Sequence, residues 1–151
     1  MLIPNSNIES SIFELNNYFV AQIPTDSRRS LYENYLSYSN EMKFILGVNK
    51  LKQWINGSFV TKVKNPKDIG LVTFLDFESR LKFEFELREL HERIYNLKIG
   101  VDAYLVTVFP EEHSKSFLYK SDYAYWLDRF TKTRGNHSGR KLSKGFLEII
   151  H

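Results

Sequence analysis

The sequence predicts an α+β domain, a small mixed β-sheet flanked by helices. Three observations predict it. Arg28–Leu46 carries apolar residues at helical spacing between the capping triplet Thr25, Asp26, Ser27 and the stop residue Gly47. Leu71–Leu75 is almost continuously apolar, as in a strand covered on both faces. Val101–Val108 has the same character and follows a charged stretch of helical composition. At 151 residues, 42% apolar and 26% charged, the chain is long enough for one real core and has an ordinary globular composition.

Taken in order, residues 1–24 are polar and bracketed by Pro4 and Pro24. They read as an N-terminal helical extension, with a helix from Ser6 or Ser10, because Ile8, Ile12, Leu15 and Phe19 recur at spacings of three or four. Packing on its own domain is favoured over packing on a partner. Residues 25–151 read as a single domain. In the helix Arg28–Leu46, Leu31, Tyr35, Tyr38, Met42, Ile45 and Leu46 form the apolar face. Tyr32, Tyr35 and Tyr38 could stack bases, but core tyrosines are the simpler reading.

Leu51–Asn56 reads as a strand and Gly57–Lys62 as a short helix or turn. The strand Leu71–Leu75 ends at Asp76. Residues 79–97 show both alternation and a helical face of Phe83, Leu87, Leu90, Ile94 and Leu97; their Glu/Arg/Leu content and length favour helix. After Val101–Val108, Glu111–Ser116 is a polar loop. A helix capped near Ser121 and Asp122 then carries Tyr125, Trp126 and Phe130 on one side. Residues 131–145 are rich in glycine and basic residues, with no acid between Asp128 and Glu148. The ending Phe146–Ile150 is a short apolar strand or turn.

Composition narrows the functional classes. Cysteine is absent, which removes disulfides and thiolate metal sites and suits the cytosol. The four histidines lack zinc-site spacing. No apolar window reaches the length of a membrane span, so the expectation is a cytoplasmic protein with no membrane association. A net charge of +3 is too small for a general nucleic-acid binder.

The chemistry concentrates between Trp54 and Asp76. Gly57-Ser58 at the start of a turn offers backbone N–H groups and a hydroxyl to a phosphate. Asp68, at the mouth of the next strand, can hold a divalent metal against that phosphate. Asp102 lies inside a later apolar strand, where an unpaired buried carboxylate is costly. The plainer alternatives are a turn residue at Asp68 and an ordinary helix start at Gly57-Ser58. In the basic segment, Arg140 and Lys144 either contact a triphosphate or RNA or belong to a solvated loop. No aromatics are interleaved there for base stacking.

The ordered set Gly57-Ser58, Asp68-x-Gly70 and Asp102 resembles the signature of minimal nucleotidyltransferases of the polymerase-beta-like superfamily. That signature is Gly-Ser, about ten residues, Asp-x-Asp heading a strand, and a third carboxylate on a later neighbouring strand. The Asn56–Thr61 and Asn65–Val72 segments, and the closing Tyr125-Trp126 and Lys144–Ile149 pattern, resemble a small bacterial branch of that superfamily. The likeness spans roughly residues 45–150. It implies the nucleotidyltransferase fold, with Asp68 and Asp102 holding Mg²⁺ or Mn²⁺ and Gly57, Ser58, Arg140 and Lys144 on the nucleoside triphosphate.

The resemblance further implies transfer of an NMP group to a protein hydroxyl, with the chain serving as antitoxin to a toxin encoded nearby. Asp102 doubles as the base near the acceptor. The alternatives are a catalytically dead binding protein of the same fold that neutralises a partner by contact, and a transferase acting on RNA ends. One departure bears on that choice. Residues 68 and 70 of a strand share a face, so Gly70 stands where the second metal-binding carboxylate belongs. Asp76 lies about 20 Å further along the strand and cannot replace it. Glu84 and Glu86 would have to reach in from the following helix.

Overall fold

The computed structural model describes residues 7–132 and 145–151. A five-stranded mixed sheet runs through it in the order β1-β5-β2-β3-β4. The strands are β1 (Asn7–Ser10), β2 (Lys52–Asn56), β3 (Ile69–Asp76), β4 (Val101–Val108) and β5 (Phe146–Ile150). β2 is antiparallel to both β3 and β5, while the outer pairs, β3 with β4 and β1 with β5, are parallel. The helices are α1 (Ile12–Asn16), α2 (Asp26–Leu46), α3 (Phe77–Lys82), α4 (Glu84–Leu97) and α5 (Ser116–Thr131). Mixed α+β architecture is therefore established. No helix among the described residues is long and apolar enough to cross a membrane.

The strand period of two divides the core. Ile55, Leu71, Leu75 and Ile149 face one side and pack with Leu31, Tyr35 and Met42 of α2 and Leu87 and Leu90 of α4. Trp54, Val72, Phe74, Val106 and Phe146 face the other side and pack with Trp126 and Phe130 of α5. Both faces of β3 are covered, which is why its sequence does not alternate. Helix α2 forms where its caps predict: the Thr25 side chain accepts from Arg28 N, and Gly47 closes the helix at φ +65°. Tyr35 and Tyr38 are fully buried core tyrosines, as the simpler reading expects.

Three local expectations differ from the structure. Residues 7–10 form a strand, because pairing with β5 satisfies their backbone across a sequence gap that a local pattern cannot reveal. The helix that follows starts only after Ser11, in a capping box with Glu14, and runs through α1 into a π-helical turn, Asn17–Ala21. Leu15 buries fully and Ile8, Ile12 and Phe19 pack beside the main core, so the segment does dock on its own domain.

The stretch after β3 is two helices, because Asp76 caps α3 and the chain breaks at Phe83. Helix α5 begins at Ser116 rather than near Ser121, and Tyr125 turns outward while Trp126 and Phe130 bury.

Candidate functional site

β2 ends at Asn56, whose register partner in β3 is Gly70; Gly70 is in turn the register partner of Asp102 in β4. Positions 56, 70 and 102 therefore form a row across three strands at one end of the sheet, on the α5 side. Gly57 continues from this row with φ +97° and ψ −169°, a conformation that a side chain strains. A Cβ at Gly57 would lie 3.9 Å from Gly70 N and 4.0 Å from Asp68 Oδ1. The Gly-Ser turn and the Asp68 carboxylate are thus neighbours, and Asp102 stands one strand away.

Asp68 and Asp102 are both exposed. The expectation of a buried Asp102 is corrected: β4 is the edge strand, and α5 covers its face only from Tyr104 onward. No burial cost applies to Asp102. Tyr104, two residues along the same face, rests against the Trp126 ring with centroids 4.7 Å apart. Partial burial, and then the neighbouring Asp102 carboxylate, push the Tyr104 hydroxyl above the ordinary phenol range. Arg129 donates to the Tyr125 hydroxyl at 2.9 Å on the adjoining surface of α5.

Gly70 has an ordinary backbone conformation, and a Cβ there would meet only the Asn56 backbone, with its carbonyl oxygen at 3.4 Å. The missing carboxylate is not forced by space. Nor do the other acids replace it: Asp76 is occupied as the cap of α3, accepting from Ser79 N at 3.0 Å, and Glu84 and Glu86 open α4 beyond the far end of β3. Among the described residues no group of three His, Cys, Asp or Glu side chains converges as a metal site. Arg140 and Lys144 lie outside the described residues.

Ser58–Val60 forms a single 3-10 turn, and what fixes it is Arg28, a residue that the sequence reading did not single out. Arg28 is fully buried beneath the loop. Its Nη1 donates to Phe19 O at 2.9 Å and Phe59 O at 2.5 Å. Its Nε donates to Val63 O at 3.0 Å, and its Nη2 to Thr61 O at 2.6 Å and more distantly to Ser58 O at 3.5 Å. The guanidinium also lies over the Phe59 ring at 5.3 Å. Burial lowers its pKa from the ordinary arginine value. One sequence signal was available: a cation in the first turn of a helix opposes the helix dipole and calls for other partners.

A second polar layer lies on the other face of the sheet. Gln53 Oε1 accepts from the Tyr35 hydroxyl at 2.6 Å and sits 2.8 Å from His151 Nε2, while Gln53 Nε2 donates to Ser39 and Thr73. His91 Nε2 lies 2.8 Å from the Tyr38 hydroxyl. Burial first, and then Arg80 near His91 and Lys43 near His151, lower both imidazoles to about 4, so they are neutral near pH 7.

Residues 1–150 match the model of a family of unknown function (DUF6932). The chain belongs to that family. No curated protein and no solved structure matches the chain. The family's description assigns no function, so the functional reading rests on the arrangement of Gly57, Asp68, Gly70 and Asp102.

Proposed function

We propose that the protein is a nucleotidyltransferase-fold member of a bacterial toxin–antitoxin module that transfers an NMP group from a nucleoside triphosphate to a hydroxyl of its partner protein. The observation that supports this reading is the register Gly70 to Asp102 with Gly57 beside Asp68. It brings a Gly-Ser turn and two solvent-facing carboxylates to one end of the sheet. In this role the turn at Gly57-Ser58 binds phosphate oxygens through backbone N–H groups, and Arg28 holds the turn in shape from beneath. Asp102 accepts the proton of the attacking hydroxyl as the bond to the α-phosphorus forms and pyrophosphate leaves.

In this reading the exposed carboxylates of Asp68 and Asp102 would hold one hydrated Mg²⁺ shared with the triphosphate, and among the described residues no third ligand completes a two-ion clamp. When bound, the ion supplies charge neutralisation at the phosphates. Gly70 favours a second reading, a catalytically silent protein of this fold that still binds nucleotide and neutralises its partner by contact. Incubation with labelled nucleoside triphosphates, Mg²⁺ and the protein encoded beside it separates the two. Label on the partner that disappears in Asp102→Asn supports transfer. Label appearing only with Gly70→Asp supports the silent reading, and no label with either the parent or Gly70→Asp counts against transferase chemistry.

A further inference from the structure

A cavity of about 690 Å³ opens away from the row of site residues, between the N-terminal segment and the loop after Val60. Interiors seldom hold voids larger than a water molecule, and this volume falls in the range of about 300–1,000 Å³ typical of small-molecule pockets. Its apolar lining comes from Ile8, Phe19, Ile23, Val60 and Leu147. One wall includes residues of the π-helical turn, Tyr18 and Phe19, and such turns concentrate at functional sites. Arg28 ties the two walls together at the back, reaching Phe19 O on one and Thr61 O and Val63 O on the other. The space is therefore framed by a fixed strut.

The charges around it are sorted by wall. Glu14 stands on the N-terminal side, and Lys62 and Lys64 on the loop side; Glu9, in register with Glu148, directs its side chain to the opposite face of the sheet. Glu14 and the two lysines do not pair across the gap: among the described residues the ion pairs are Lys52 with Glu148, Arg93 with Glu41, and Lys132 with Asp128. Glu14 is held on its own wall by Ser10 and Ser11. An apolar floor between an acidic and a basic wall that do not meet is complementary to a zwitterion with an apolar body.

We infer that this cavity binds a short zwitterionic ligand of apolar dipeptide chemistry. Its carboxylate lies toward Lys62 and Lys64, its ammonium toward Glu14, and its side chains against Phe19, Val60 and Leu147. This site is independent of the transferase reading and needs no activity to test.

The test is titration of the full chain with leucyl-phenylalanine, followed by calorimetry and by amide shifts at Thr61 and Lys62. Its N-acetylated and C-amidated forms serve as comparisons. The expected result is saturable binding of the free dipeptide, weakened about tenfold by capping either end and by the exposed double substitution Lys62→Glu/Lys64→Glu. Circular dichroism of that variant should match the parent. Absence of binding overturns the inference, as does equal binding of the capped forms. Binding that survives the charge reversal in a folded variant also overturns it.

Discussion

Gly70→Asp is the perturbation that bears most directly on the site. A carboxylate at position 70 faces Asp102 across one strand spacing, about 4.8 Å, and has Asp68 two residues back along the chain, about 7 Å away. Both existing carboxylates are exposed, so a water-like dielectric applies, and the two repulsions amount to about 0.9 and 0.6 kcal/mol. Aspartate is also a poor strand residue.

Without metal, the variant should lose about 1–2 kcal/mol and melt about 3–6 °C lower for a domain of this size. Mg²⁺ at ten times its dissociation constant returns about 1.4 kcal/mol, so it should restore most of the loss. The assay is thermal melting of parent and variant with and without Mg²⁺, at low salt. A variant that melts like the parent without metal, or an equal Mg²⁺ response in both, would refute the convergence of positions 68, 70 and 102 on one ion.

Other outcomes follow from the same contacts. Arg28→Met strands the carbonyls of Phe19, Phe59, Thr61 and Val63, and urea unfolding should show a loss of about 3–5 kcal/mol. Arg28→Lys should recover little of it, since one ammonium cannot span carbonyls fanned around a planar guanidinium. Gly57→Ala forces a side chain into the φ +97° conformation and should cost about 1–3 kcal/mol, read by the same unfolding, with weaker nucleotide binding by calorimetry.

Stability should also depend on acid. His91 and His151 have folded pKa values of about 4 against about 6.5 unfolded, so the unfolded chain binds more protons between those values. Their contribution is complete above about pH 6.5 and is lost as pH falls toward 4. For His91 the slope is at most about 1.4 kcal/mol per pH unit, and His91→Gln should flatten the melting profile in that window.

Much of the sheet is legible locally. β3 reads as a doubly covered strand because Leu71 and Leu75 bury against α2 and α4 while Val72 and Phe74 bury against α5. Helix α2 is legible because Thr25 and Gly47 mark its ends. The N-terminal strand is not, because its partner β5 lies some 140 residues away, Asn7 opposite Phe146, and its four residues carry no alternation strong enough to outweigh the helical spacing around them. The early start of α5 is hidden for a related reason: Lys115 precedes it without a side-chain cap, so the capping residues near Ser121 mislead.

At the site, the spacing of Gly57, Asp68 and Asp102 is legible, but their adjacency is a matter of register, which puts Gly70 directly between Asn56 and Asp102. The exposure of Asp102 depends on β4 being an edge strand, which one apolar run cannot disclose.

Arg28 is the least legible feature, and it governs how the loop is built. Between Gly57 and Asp68 the chain has only one 3-10 turn of regular structure, so its carbonyls have few partners of their own. Replacing a buried ion pair by apolar side chains is often neutral in free energy, so stability alone is a weak reason to bury a cation. What the guanidinium provides that an apolar residue cannot is direction: several donors in a plane set the positions of Phe59, Thr61 and Val63 together. The same cation fixes Phe19 on the opposite wall of the cavity. Shape at the Gly-Ser turn and shape in the cavity therefore share one determinant. A substitution there should alter nucleotide and dipeptide binding together, whereas Gly70→Asp and Lys62→Glu/Lys64→Glu should each alter only one.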